Sequence, residues 1–549
     1  MRVNFGQWTP DRPGIAGSLV EAKNVLPTLV GYGPMPSAID FSNSATENLL
    51  TCTIGRWVTE TVLFGAGANF LYRYFPTKSV TITGATQANP CVITSAGHGF
   101  RTGIQVAISG VVGMTQLNGN TYTITRIDAN TFSLDGVNST GFTAYTSGGT
   151  AVTLKYLMDV SRTASAYTAA TLWTFTQFGQ KVIGANGQDK LQAWTVGSSA
   201  NFADLAAAAP TSQFVTTVRD FVVSGKTSTY PNRVLWSDIN DETDWTPGAA
   251  SQSDNQDIPD GGEIRGITGG EFGIVLLERS IVRMTYVGAP LFFQFDNVTS
   301  ALGCYESRSV VRYGTSTYFL SDDGFYVTDG QQVKAIGAER VDEWFFDNCD
   351  PGKFDQMSAA VDPINKTVTW CFTNIFAAKQ LLVYNWSTDK WSHGDTTANF
   401  IATIATSGTD LESLSLLYPT LDTVPASLDS RLWVGGKLIA GGVTNAKIIS
   451  FGGANLTADL QTGDIETSGL ETLATLARPI IDGGSCTVAI ASRKRLDGNI
   501  SYATAVAADS DNRVSLRSRG KYHRLSVVPT GNWNTAVGTD LDLVPCGGR

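Results

Sequence analysis

Five aromatic residues recur through the middle of the chain at nearly even intervals. Trp194, Trp236, Tyr286, Tyr326 and Trp370 fall 42, 50, 40 and 44 residues apart. Each belongs to a short β-branched and aromatic run next to a dense polar turn. The clearest unit is Arg233-Val-Leu-Trp-Ser-Asp-Ile-Asn-Asp-Glu-Thr-Asp-Trp-Thr-Pro-Gly248, a strand running into a polar hairpin that carries a second Trp. Leu381-Leu-Val-Tyr-Asn-Trp-Ser-Thr-Asp-Lys-Trp391 has the same form. A period of about 40–50 residues with several strands per unit is the spacing of β-propeller blades. The expected fold class is therefore all-β.

Composition supports this and narrows the function classes. The 56 glycines and the charged fraction of 16% suit many tight turns and exclude a helical or disordered chain. A net charge of −10 argues against a sequence-wide affinity for phosphate backbones. The seven cysteines are scattered without a CxxC pair, which predicts buried free thiols and a reducing compartment of synthesis. The start of the chain has no apolar segment of a secretory signal, and no apolar run approaches the ~20 residues that span a bilayer. A large soluble protein made in a cytoplasm, with no membrane span, is expected.

Residues 1–48 read as an extended arm, because Pro10, Pro13, Pro27, Pro34 and Pro36 remove donors and block helix. Such an arm either lies across another surface or supplies a strand that closes the propeller. Residues 49–76 and 153–407 read as the propeller. Between them, residues 77–152 carry five or so short strands with Gly, Asn and Asp at the turns, which predicts a small β-barrel inserted in the first blade. Residues 408–549 read as a Ser/Thr/Leu-rich link, the last blades and a C-terminal β-sandwich-like region. Helical turns are expected at Val341–Phe346 and at the Ala-rich stretch 203–209.

No catalytic, cofactor or metal residue is nominated. Asp238, Asn240, Glu242 and Asp244 alternate like calcium ligands, but the loop lacks the glycine an EF-hand requires, so a self-bonded turn is expected. Asp254–Asp260 and Ser321–Gly324 read as solvated hairpin tips. His98 reads as a turn histidine. The single basic concentration is Arg513, Arg517, Arg519, Lys521, His523 and Arg524. On a strand, Arg517, Arg519, Lys521 and His523 would share one face, a candidate contact for an acidic partner or DNA.

Several motifs resemble tail nozzle or hub proteins (tail tubular protein B-like) of short-tailed bacteriophages. They are Trp8-Thr-Pro-Asp11, Ala22-Lys-Asn-Val-Leu-Pro27, Gly31-Tyr-Gly-Pro34, Arg233-Val-Leu-Trp-Ser-Asp238, Leu320-Ser-Asp-Asp-Gly-Phe-Tyr326 and Gly520-Lys-Tyr-His-Arg524. The insert, through Asn89-Pro-Cys-Val-Ile-Thr-Ser-Ala-Gly-His-Gly-Phe100, Ile108-Ser-Gly110 and Leu117-Asn-Gly-Asn-Thr-Tyr122, is similar to the first catalytic-cysteine half-domain of ubiquitin-activating enzymes. The resemblance implies a non-enzymatic virion protein without cofactor: a homo-hexameric ring below the portal adaptor. It would touch the tail adaptor and a tail spike or fibre, and double-stranded DNA would pass through it. Two rival readings are a receptor- or glycan-binding tail protein and a propeller polysaccharide hydrolase, the latter requiring two carboxylates converging on one face.

Overall fold

The computed structural model describes residues 1–549 except 13–16, 59, 154–155, 164, 406–423, 425–437, 467–469 and 547–549. Nearly all of the regular structure is β. Six four-stranded antiparallel sheets stand separately in a propeller arrangement. Blade 1 is formed by Leu49–Trp57, Glu60–Gly67, Leu71–Phe75 and Tyr156–Asp159. Blade 2 runs from Thr174–Phe178 to Ala203–Asp204, and blade 3 from Phe214–Val218 to Asp254–Asp257. Blade 4 runs from Ile264–Thr268 to Phe292–Thr299, and blade 5 from Val311–Tyr313 to Val333–Ala335. The next sector is a four-stranded meander, Ser358–Asp362 to Lys390–Asp395, which forms one end of a larger, 14-stranded curled sheet. The sixth free-standing blade closes the ring with Phe400–Ala405, Leu438–Thr444, Lys447–Asn455 and Pro36–Asp40.

Second strands such as Phe221–Gly225 and Gly273–Leu277 are buried along their whole length, so they read as unbroken apolar runs. Neighbouring blades are stitched by hydroxyls. Thr176 meets Thr217 at 2.9 Å, Thr268 meets Thr317 at 2.9 Å, and the Ile401 amide donates to Ser358 Oγ at 2.8 Å. Aromatic rings fill the space between sheets, with Trp236 of blade 3 edge-on to Phe293 of blade 4 at 5.2 Å.

The insert is a seven-stranded sheet whose two terminal strands, Ser79–Thr81 and Gly84–Ala85, are adjacent in sequence. The sheet therefore curls into a small barrel. Its core is Cys91, Ile93, Val106, Ile108, Ile124, Phe132 and Leu134, all essentially inaccessible.

Residues 1–48 are woven in rather than free. Leu19–Lys23 pairs antiparallel with Asp459–Thr462 and touches His393 of the meander, and Pro36–Asp40 is the outer strand of the closing blade. Asp11 accepts from the Glu343 and Trp344 amides at the start of helix Asp342–Asn348. Trp8 packs edge-on against Trp344 at 4.9 Å and stacks on His393 at 4.8 Å.

Two local expectations are corrected. Ala203–Ala209 is no helical turn: Ala203–Asp204 is the fourth strand of blade 2, pairing Gln192 and Ala193, because sheet pairing outweighs the helix propensity of alanine. Asp254–Asp257 is the outer strand of blade 3 rather than a hairpin tip, and Arg233 clamps Asp257 across it at 2.6 and 2.9 Å. Leu541–Pro545 is the end of the long strand that starts at Tyr522. The expected strand Leu432-Trp-Val434 and the link through Pro419 and Pro425 lie outside the described residues.

The C-terminal β region is the rest of the curled sheet. Thr472–Arg493 and Tyr522–Pro545, of 22 and 24 residues, pair along their length and bend at bulges around Gly483 and Gly484, whose φ values of +78° and +65° exclude most side chains. The bend is tight enough that both ends of the first strand reach His523: its ring nitrogens bond Thr472 Oγ1 at 2.8 Å and Ser492 Oγ at 2.7 Å. His523→Ala removes both bonds and is expected to cost about 1–3 kcal/mol. Burial holds the folded His523 pKa below its ordinary 6.5. The unfolded chain thus takes the proton first, so this contribution is complete above about pH 6.5 and declines as pH falls below it. Urea midpoints of wild type and His523→Ala between pH 8 and pH 5 should converge towards acid.

Candidate functional site

The basic stretch does not form one row. Arg517 and Arg519 point out from Val514–Gly520, as the period-2 rule requires. The strand then ends at Gly520, Lys521 sits in a bend, and the next strand starts at Tyr522. That break shifts the phase, and His523 turns fully inward to the clasp described above. Much of the charge is also neutralised locally. Arg519 meets Glu471 at 2.7 Å, Arg524 meets Asp464 at 2.9 Å, and Arg513 meets Asp511 at 3.5 Å. Asp464 also receives Arg493, and its carboxyl is held below the usual range by these two guanidiniums against the opposing effect of burial. Among the described residues, Arg517 and Lys521 have no ion pair.

The other nominated residues bond mostly within their own turns, except Glu242, which pairs with Lys181 of blade 2. Asp238 Oδ1 accepts from the Ile239 and Gln252 amides, Asp241 Oδ1 from Thr243, and Asp244 Oδ1 from Thr246. These are self-bonded turns. His98 is buried in the insert, bonded to the Asp128 carbonyl at 3.1 Å and accepting the Phe100 amide at 3.0 Å. All seven cysteines are free, and six are buried. Burial pushes the thiols of Cys52, Cys304, Cys349 and Cys371 up to about 12, far from a reactive thiolate at neutral pH.

Two concavities were invisible in the sequence. The first, of about 490 Å³, is walled by Asp11, Asp322, Asp323, Tyr326, Asp342 and Glu343. Asp342 is only 8% exposed, and burial, reinforced by the charges of Asp11 and Asp323, pushes its carboxyl up to about 7. A Cβ at Gly324 or Gly337 would stand 2.1 or 2.0 Å from its oxygens, so two glycines make the room for it. The group accepts the Phe325 amide at 3.1 Å and braces the joint between blade 5 and the helix.

The second concavity lies on the propeller axis. First strands of all six blades and of the meander contribute to a cavity of about 320 Å³. Thr51, Thr174, Thr268, Ser358 and Thr403 line it together with Arg308 and Arg312, and among the described residues no carboxylate does. Arg308 lies across it: Nη1 donates to the Leu50 carbonyl at 3.4 Å, Nη2 to the Thr171 carbonyl, and the guanidinium covers the Phe400 ring at 4.4 Å.

Together these features define a propeller with an inserted barrel and a curled C-terminal sheet. The comparisons with known proteins concern its parts. Residues 89–155 match the ubiquitin-activating enzyme E1 FCCH domain. In this chain the module's one cysteine, Cys91, is buried, with its thiol pushed up by desolvation. No curated protein matches the chain. A solved structure from Bacteroides uniformis, described as a 6-phosphogluconolactonase, is 11% identical with a TM-score of 0.29, covering 63% of this chain and 95% of that one. A likeness at that level carries no argument about activity.

Proposed function

We propose that the chain is a structural subunit of a short bacteriophage tail, a nozzle or hub protein assembled as a homo-hexamer around the DNA exit path. What supports this reading most is where the resembling motifs meet. Trp8–Asp11 and Leu320–Tyr326 converge on helix Asp342–Asn348, Gly31 packs on the Ala536 carbonyl, and Gly520–Arg524 holds the ribbon's clasp. They are joints between segments distant in sequence, which suits a load-bearing virion part. Exposed apolar side chains at loop tips, Leu29 (82%), Val58 (89%), Leu291 (71%) and Phe376 (81%), suit contacts with neighbours.

The axial cavity refines the proposal. A duplex whose major groove alone is about 12 Å wide does not pass through 320 Å³ crossed by an arginine. The DNA path then runs between subunits rather than through a propeller. No helix among the described residues is long and apolar enough to cross a membrane.

Electron microscopy of virions labelled with antibody against this chain tests the reading. Label at the tail tip supports it, label on lateral spikes moves the assignment to receptor binding, and unlabelled virions refute it. The contact role of the basic stretch now rests on its two cations without an ion pair. Arg517→Glu with Lys521→Glu is expected to abolish docking to the tail adaptor or to the spike or fibre while leaving the melting temperature unchanged. Undiminished incorporation into tails would sink that role.

A further inference from the structure

The axial cavity has a charge balance opposite to that of the chain. The protein carries a net −10, yet the two charged residues lining this space are Arg308 and Arg312. Neither has a carboxylate within ion-pair distance among the described residues. The Arg308 guanidinium is met by neutral peptide carbonyls and one aromatic face. Lys379 approaches the same Phe400 ring at 5.4 Å and donates to the Gln356 carbonyl at 3.0 Å, so a further cation stands beside that ring. The acidic groups whose field reaches Arg308 are Glu306 and Asp355, and neither lines the space. Glu306 is engaged with the backbone amide of Arg308 at 3.1 Å.

A charge withdrawn from water is stable only when paired or well hydrogen-bonded. A guanidinium also presents a planar fork of donors that suits the oxygens of a phosphate or carboxylate. The wall hydroxyls are already engaged, Thr268 with Thr317 and Thr403 with the Val361 backbone, which leaves the arginine as the group suited to an added anion. We propose that the axial cavity is a binding site for a small free oxyanion of the phosphate or sulfate type, with Arg308 as its principal ligand. Bound there, the anion would tie the first strands of opposite blades across the axis and act as a structural pin. Its volume admits such an ion many times over and excludes a nucleic-acid duplex. The site is independent of the assembly proposed above.

The test uses the full chain, titrated calorimetrically with inorganic phosphate at constant ionic strength. Saturable binding at one site is expected. Arg308→Gln should weaken it by about tenfold or more, since a charged hydrogen-bond donor is lost, and Arg308→Lys should weaken it less. A crystal grown with tungstate should place the heavy atom in the cavity, and this readout does not depend on a variant folding. Absence of saturable binding, equal binding by Arg308→Gln, or tungstate located elsewhere would overturn the proposal.

Discussion

A chain lacking residues 1–40 is expected to lose the curled sheet and the closing blade together. Deletion strips the outer strand from the blade that contains Lys447–Asn455 and the partner from Asp459–Thr462. It also removes Trp8, Leu19, Val25 and Tyr32, all 1% exposed or less. Each large apolar side chain contributes about 1.5–3 kcal/mol by burial, so these four alone supply roughly 6–12 kcal/mol. That matches the whole net stability of a typical domain, about 5–15 kcal/mol. Limited proteolysis should therefore cut the truncated chain rapidly between residues 438 and 545 while blades 2 to 5 persist longer. Cleavage rates equal to those of the intact protein would show that the arm is dispensable.

The second large effect concerns Asp342. Its folded pKa of about 7 stands above the ordinary 3.8, so the folded state holds a proton that the unfolded state has released. The carboxyl's favourable contribution is thus complete below about pH 4 and is lost as pH rises through 7. At 1.36 kcal/mol per unit, the cost at pH 8 is on the order of 4 kcal/mol. Asp342→Asn keeps the shape and the acceptor for the Phe325 amide without the charge. Urea unfolding should show the variant more stable than wild type by about 2–4 kcal/mol at pH 8, with the two curves approaching each other at pH 4–5. A variant no more stable at pH 8 would mean that the pocket's solvation, and not burial, sets this group's charge.

The propeller was legible because its signal is periodic. Trp194, Trp236, Tyr286 and Tyr326 each lie on the third strand of their blade. Trp370 keeps the interval but lies on the second strand of the meander, packed against Phe325 of blade 5 and Trp391 of its own sheet. The curled sheet was far less legible. Pro479, Gly483, Gly484, Pro529 and Gly531 look like strand ends, yet they sit within two continuous strands that bulge and bend. Within the basic stretch, alternation predicted Arg517 and Arg519 correctly but could not show the phase break at Lys521. The acidic pocket was legible only in fragments, since Ser321–Gly324 stood out as an acidic tip but nothing in the sequence brings Asp11 and Asp342 to it. The axial cavity had no sequence signal, because an arginine beside a first strand looks like any surface arginine until the ring closes over it.

The strand that closes the ring sets a timetable for synthesis. Asp40 meets Lys447, 407 residues further along the chain. At about 5–20 residues per second, Pro36–Asp40 waits roughly 20–80 seconds after leaving the ribosome before its partner exists. An unpaired strand is open to wrong partners during that interval. Pro27, Pro34 and Pro36 offer no amide to such intruders, so the proline content of the arm keeps it inert until the last blade arrives.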